Sequence, residues 1–306
     1  MAVALRHRLE HAAVVVLLAL LRFVPPATAR RIGEWLGRLA FRLGLRRRIV
    51  EANVALAFGA ERTPAELAAI VRGAYESFGG NVLEFAALAV RPIEATRAVV
   101  EFRHLERLEA ARAAGRGVVV LTGHLGAFEL GSRVGELTGL PFVVVMKKLS
   151  NPYVERALAR LRGAGGASLL GVTRGGKERV AGRRVLAHLR ENAVVGILND
   201  QDVGDGGLLG EFFGQPTWTG SGPVRFAARA GAALLTGFIH REGGRHIMTV
   251  DPPIPVAGDD EASVAAAVAE YNRRLEAAVR AHPEQYFWFH KRWKSTALRE
   301  RLYASR

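Results

Sequence analysis

Cysteine is absent from the 306 residues, which excludes a disulfide framework, a thiol nucleophile and a cysteine-ligated zinc. No G-x-S-x-G elbow occurs, so a serine α/β-hydrolase would lack its nucleophile. Long hydrophobic runs are missing as well. Residues 12–21 are ten apolar residues ended by Arg22, against the roughly 17 to 25 needed to cross a bilayer. Glu10 and His11 before that run, and Pro25-Pro26 after it, are wrong for a signal peptide, although Ala27-Thr28-Ala29 has the form of a cleavage site. Acidic residues are few, 29 against 43 basic ones, for a net charge of +14. Such an excess points to anionic partners: nucleic acid, an anionic membrane surface or phosphorylated substrates. Residues 171–177 match G-x-x-x-x-G-K, but Glu178 stands where a P-loop needs Ser or Thr to ligate magnesium and would repel phosphate, which argues against a P-loop there.

What the chain does have is apolar material, 49% of its residues, enough for a large core and too much for disorder. Beyond the first apolar run, Ile32, Leu36, Leu39, Leu43 and Leu45 alternate with Arg30, Arg31, Arg38, Arg42 and Arg46-Arg47-Arg48. This is the pattern of a basic amphipathic helix in a headgroup plane, the reading preferred here, or of a core helix with a solvated face; Gly33, Gly37 and Gly44 weaken it, at about 1 kcal/mol each against Ala. Thr63, Pro64 and Glu66 form the start signal of a helix running to residue 89. Apolar runs at 118–122, 142–145, 194–198 and 234–239 read as buried strands. Helical stretches read near 104–114, 126–138, 152–163, 178–191, 221–232 and 262–282. The expected fold is α/β: a single, mostly parallel sheet between helical layers, with an N-terminal membrane-associated segment. Residues 1–48 are expected to form the anchor and residues 49–306 the catalytic domain.

Four constellations could carry chemistry. Gly123-His124-Leu125-Gly126-Ala127-Phe128-Glu129 follows a strand and opens a helix, the sheet edge where α/β folds bind ligands. There His124 can act as a base with Glu129 as its orienting carboxylate, while Gly123 and Gly126 let a substrate approach the backbone. The alternative is a histidine that only satisfies a core hydrogen bond. Arg174 and Lys177 sit in a Gly-rich loop suited to an anionic group, or equally a plain solvated loop. Asn199-Asp200-Gln201-Asp202 ends another strand, where the carboxylates could bind magnesium or, the reading preferred here, pair with arginines and shape the pocket. Residues 282–294 interleave aromatics and bases, suiting either stacking on single-stranded nucleic acid or a core-closing helix.

Taken in order, G-H-x-G-x-aromatic-E, the basic loop, Asp200-Gln201, Phe212-Phe213-Gly214 and P-E-Q-Y-x-W-x-H-x-R-W-K resemble the lysophospholipid acyltransferase superfamily. More closely, the chain is similar to the bacterial lipid A lauroyl/myristoyl acyltransferases and to mycobacterial phosphatidylinositol mannoside acyltransferases. Asn53-Val54-Ala55-Leu56-Ala57-Phe58 and the stretch from Gly79-Gly80 to Glu84 extend the likeness. Ala127-Phe128 depart from the family's usual Asn-Trp, and Asn199 from its Pro. The resemblance implies His124 and Glu129 as catalytic residues. It implies substrate contacts at Gly123, Gly126, Arg174, Lys177, Asp200 and Gln201, with neither metal nor cofactor. It implies an O-acyltransferase on the cytoplasmic side of the inner membrane, moving an acyl chain from acyl carrier protein or acyl-CoA to a glycolipid hydroxyl, as in a lipid A precursor. Phosphatidylinositol mannoside or lysophospholipid acceptors, or a non-catalytic lipid-binding protein, are the alternatives; a nucleic-acid partner is not expected.

Overall fold

A computed structural model describes residues 2–147, 151–163, 168–172, 178–298 and 303. Four N-terminal helices come first: α1 (Ala2–Leu21), α2 (Pro26–Arg42), α3 (Arg47–Phe58) and α4 (Pro64–Ala89). The α/β part follows with α5 (Ile93–Arg97), β1 (Val100–Arg103), α6 (Leu105–Ala113), β2 (Val118–Thr122), α7 (Val134–Thr138), β3 (Phe142–Lys147), α8 (Pro152–Gly163), β4 (Ser168–Val172), α9 (Glu178–Arg190) and β5 (Val194–Leu198). Then come β6 (Leu208–Phe212), β7 (Gln215–Thr219), α10 (Gly222–Ala230), β8 (Ala233–Glu242), β9 (Arg245–Val250) and α11 (Glu261–Ala281).

Seven strands form one sheet in the order β1-β9-β8-β2-β5-β3-β4, parallel at every pairing except the β8–β9 hairpin. The mostly parallel sheet flanked by helices is therefore as expected. Side chains of β2 alternate between its faces. Val119 and Leu121 join a core with α3, α9, α10 and α11, while Val118 and Val120 face a second core with α6, α7 and the end of α4. A two-stranded β6–β7 ribbon stands apart from this sheet. Its two-residue turn, Phe213-Gly214, has positive φ at both positions, the geometry that matches the twist of a hairpin.

Local signals were reliable where they were complete. Thr63 caps α4, its hydroxyl accepting from the Glu66 N–H while Glu66 accepts from the Thr63 N–H. The stretch 126–138, read as one helix, is instead a 3₁₀ helix (Phe128–Arg133) continued by α7. The C-terminal aromatics close the core without forming a helix: only Pro283–Gln285 is helical, as one 3₁₀ turn, while Tyr286, Trp288, Phe289 and Trp293 are buried.

The glycines of α2 are its packing face. Ala29, Gly33 and Gly37 are buried, and a Cβ on Gly33 or Gly37 would fall 2.1 Å from the Gly79 or Tyr75 carbonyl oxygen of α4. Removing side chains there lets two backbones touch, which offsets the poor helix propensity of glycine. The opposite stripe, with Ile32, Trp35, Leu36, Leu39 and Leu43, is exposed, as are Val15, Val16, Leu17 and Leu20 of α1. No helix among the described residues is long and apolar enough to cross a membrane.

Candidate active site

Parallel strands β2 and β5 are hydrogen-bonded neighbours whose register pairs Thr122 with Leu198. Two residues beyond each lie His124 and Asp200, so the sheet itself brings them together. His124 Nδ1 is 2.7 Å from Asp200 Oδ1, and the His124 backbone N–H donates to Oδ2 at 2.8 Å. One carboxylate thus fixes both the ring and the main chain that carries it, and with Nδ1 engaged the ring nitrogen left to accept a proton is Nε2.

Electrostatics follow from this contact. Burial is the largest influence on His124 and pulls its pKa down. The charge and hydrogen bond of Asp200, with the charge of Glu129 added, overcome burial and leave it raised above 6.5. Burial of Asp200 works the other way, but His124 and the nearby Arg292 charge hold its carboxyl at about 2. Behind the pair, the Tyr271 hydroxyl donates to the Thr122 carbonyl at 2.8 Å. Burial first, and then the Asp200 charge, push the Tyr271 and Tyr286 hydroxyls well above 10, so neither competes as a base.

The orienting carboxylate is therefore Asp200, and the expectation of Glu129 in that position is corrected. Both Glu129 oxygens are held by Arg162 of α8, at 2.7 Å from Nε and 2.5 Å from Nη2. The reason is the local turn: the 3₁₀ helix that begins at Phe128 aims Glu129 toward α8, away from the end of β5. The preferred reading of Asp200 and Asp202 stands in part: the Arg292 charge reaches Asp200 and Asp202 lines a cavity described below, but neither carboxylate forms an ion pair with an arginine among the described residues. Asp200 serves His124, and Asp202 accepts the Gly204 and Ser295 backbone N–H groups. No group of three potential metal ligands occurs among the described residues.

The glycines have a different task from the one expected. Gly126 has φ +55°, and a Cβ there would lie 2.4 Å from the Ile239 carbonyl oxygen of β8. A Cβ on Gly123 would lie 2.6 Å from Leu275 of α11. Both make room for protein backbone and core, although Gly126 also lines a small cavity. Gln201 is exposed and lines both cavities described below. Arg174 and Lys177 lie outside the described residues; β4, which precedes them, ends at Val172 on the sheet edge that carries His124.

The two ends of the sequence motif meet through the backbone. Phe287 N–H donates to the His124 carbonyl, and Gly126 N–H to the Gln285 carbonyl, each at 2.9 Å. This places the Phe287 ring 5.7 Å from the His124 ring, with Phe128 at 4.7 Å on another side. Arg162, Phe287 and His290 are site residues that the sequence reading did not single out. Phe287 and His290 fell within the C-terminal motif, whereas nothing near Arg162 marks it.

His124 stands between two cavities. The larger, about 770 Å³, runs along one face of the sheet, over Val120, Thr122, Val144, Gly196, Gly237 and Met248, and is walled by Phe102, Leu105, Leu108 and Val134. The i, i+2 spacing of its floor follows from the pleat, and glycines at 196 and 237 leave it open. The smaller, about 270 Å³, lies between the His124 loop and Phe78, Asn81 and Val82 of α4. An apolar trough and a second recess, with a histidine–carboxylate pair at their junction, suit proton transfer from a group in one to a reaction at the end of a chain in the other.

Residues 3–295 match the family described as bacterial lipid A biosynthesis acyltransferase. The chain is 28% identical over 189 residues to the phosphatidylinositol mannoside acyltransferase of Mycobacterium tuberculosis (strain CDC 1551 / Oshkosh), a match covering 62% of this chain and 58% of that protein. It thus spans less than two thirds of that relative's length. It is 26% identical over 275 residues to the lipid A biosynthesis palmitoleoyltransferase of Escherichia coli (strain K12), covering 88% and 86% of the two chains. To the lipid A biosynthesis lauroyltransferase of the same strain it is 27% identical over 280 residues, covering 89% and 87%.

Proposed function

The chain belongs to the bacterial lipid A biosynthesis acyltransferase family, and on that premise we propose that it is an O-acyltransferase acting on a membrane glycolipid. The observation that carries the reading is His124, bound to Asp200 through Nδ1, at the junction of an apolar trough and a second recess. The acyl chain of a thioester, from acyl carrier protein or acyl-CoA, fills the trough with its carbonyl beside His124. The acceptor hydroxyl gives its proton to Nε2 and attacks the carbonyl carbon. The tetrahedral intermediate then collapses, breaking the C–S bond, and the departing sulfur takes the proton from His124. Asp200 holds the productive tautomer and balances the imidazolium, while Glu129 adds charge at a distance and anchors Arg162. Arg174 and Lys177 are assigned to substrate phosphate on their sequence context alone. A non-catalytic lipid carrier would have no use for a buried carboxylate held at Nδ1 of a histidine.

Incubating the purified protein with palmitoleoyl-CoA and, separately, a lipid A precursor or a phosphatidylinositol mannoside, with mass spectrometry of the products, tests the reading. Acyl transfer in neither arm, with acyl carrier protein as donor too, would end it. The mannoside arm is there because the mycobacterial relative carries that name. The trough gives a sharper expectation. Val144→Phe adds a ring to its floor, and each methylene denied burial costs about 0.8 kcal/mol, roughly fourfold in KM. The variant should favour shorter donors; an unchanged chain-length profile would place the acyl chain elsewhere.

The same reading puts the protein on the cytoplasmic face of the inner membrane. The exposed stripe of α2, flanked by Arg31, Arg38 and Arg42, lies in the headgroup plane beside the exposed residues of α1. Trp35→Glu with Leu39→Glu alters only exposed side chains. It should lower binding to anionic phospholipid vesicles by about tenfold or more, since burying one such side chain is worth roughly 1.5–3 kcal/mol. Full vesicle binding by a folded double variant would remove α2 from the membrane contact.

A further inference from the structure

A second imidazole faces the larger cavity. His290 lines it together with His124, Gln201 and Lys294. Its Nε2 accepts the Asp202 backbone N–H at 3.3 Å, which puts the proton of the neutral ring on Nδ1. Nδ1 has no hydrogen-bond partner among the described residues, and it is not among the buried polar atoms left unpaired. His290 lines the cavity, and with Nε2 held by Asp202 the Nδ1–H is the donor the ring can offer there. The ring is held from both sides of the site. Asp202 is two residues from Asp200, and the chain carrying His290 is bonded to the His124 carbonyl through the Phe287 N–H.

We propose that His290 is a catalytic residue that donates its Nδ1–H to the oxyanion formed when the acceptor adds to the thioester carbonyl. The inference rests on the acyltransferase reading above. As the acceptor oxygen bonds to carbon, the carbonyl π electrons move to oxygen and the acceptor proton moves to His124. His290 holds the resulting anion without giving up its own proton. Collapse restores the C=O bond and expels the thiolate, which takes the proton from His124. A neutral donor suits this task, and the surroundings keep the ring neutral. Burial first, then the charge of Lys294, with Arg292 and His124 adding to them, depress its pKa to about 4 against the opposing charge of Asp200. His124, in the same cavity, is raised above 6.5. Two histidines whose environments drive them apart divide the work of base and hydrogen-bond donor.

The test compares wild type with His290→Ala, His290→Phe, which keeps bulk without a donor, and His290→Gln, whose amide can accept from Asp202 and still donate. Palmitoleoyl-CoA serves as donor and the acceptor is whichever lipid wild type acylates. Losing one oxyanion donor costs on the order of 10² to 10³ in kcat. The donor-less variants should lose that much with KM for the thioester nearly unchanged and the acid limb of the pH–rate profile in place. His290→Gln should recover part of the rate. Wild-type kcat in either folded donor-less variant, or a loss confined to KM, would overturn the proposal and leave the acyltransferase reading standing. Absence of transfer by wild type itself would overturn both.

Discussion

Asp200→Asn is expected to be the most damaging conservative change in this protein, with a loss of about 10³ to 10⁴ in kcat, on the scale of removing the carboxylate from a hydrolase triad. Asp200 accepts two hydrogen bonds that both come from His124, one from Nδ1 and one from the backbone N–H. An asparagine has one carbonyl oxygen for these two donors. Its NH₂ must face one of them, and facing Nδ1 it would force the proton onto Nε2, the atom that has to accept the substrate proton. The variant also leaves the imidazolium without its counter-charge in a buried site. The pH dependence gives an independent signature. In wild type only neutral His124 is active and its pKa is raised, so the rate climbs with pH and reaches half its plateau above 6.5. Without the Asp200 charge, burial lowers the His124 pKa, so the acid limb should move to lower pH while the plateau falls. Glu129→Gln should shift the limb in the same direction with a smaller loss of rate, because Glu129 acts on the ring only through space. Full activity in Asp200→Asn, or an acid limb that stays in place, would refute the pairing as the working dyad.

His124→Ala should lower kcat by about 10² to 10⁴, the usual contribution of a positioned base, with KM for the thioester largely kept. Binding should survive because most of the proposed acyl trough is lined by apolar strand and helix side chains such as Val120, Val144 and Leu108. Combined with Asp200→Asn, the loss should be no greater than the larger of the two single losses, since an orienter without a base has nothing left to orient. Steady-state kinetics of the two single variants and the double variant would decide it. Strictly additive losses would mean that Asp200 acts independently of His124, and a folded His124→Ala with near wild-type turnover would exclude the mechanism.

Much of the molecule is written locally. The capping box at Thr63 and Glu66 sets the start of α4 within four residues. The runs at Val118–Thr122 and Val194–Leu198 are strands, as their shortness, their β-branched content and the helical segments on either side suggest. From the same information His124 and Asp200 each stand just past the carboxyl end of a strand, and the motif order resembles the family that residues 3–295 match.

What the sequence could not tell is which carboxylate meets the histidine. Glu129 is five residues from His124 and Asp200 is 76 away, so proximity along the chain favours the wrong one. The choice falls to tertiary structure because the sheet order makes β2 and β5 neighbours in register, while a 3₁₀ turn carries Glu129 off to Arg162. Gly33 and Gly37 look like flaws in a helix until α4 lies against them. The paired histidines are the same kind of fact. Burial and neighbouring charges separate the behaviour of His124 and His290, and both are properties of folded space, set by elements brought together from distant parts of the chain, that no local pattern of residues contains.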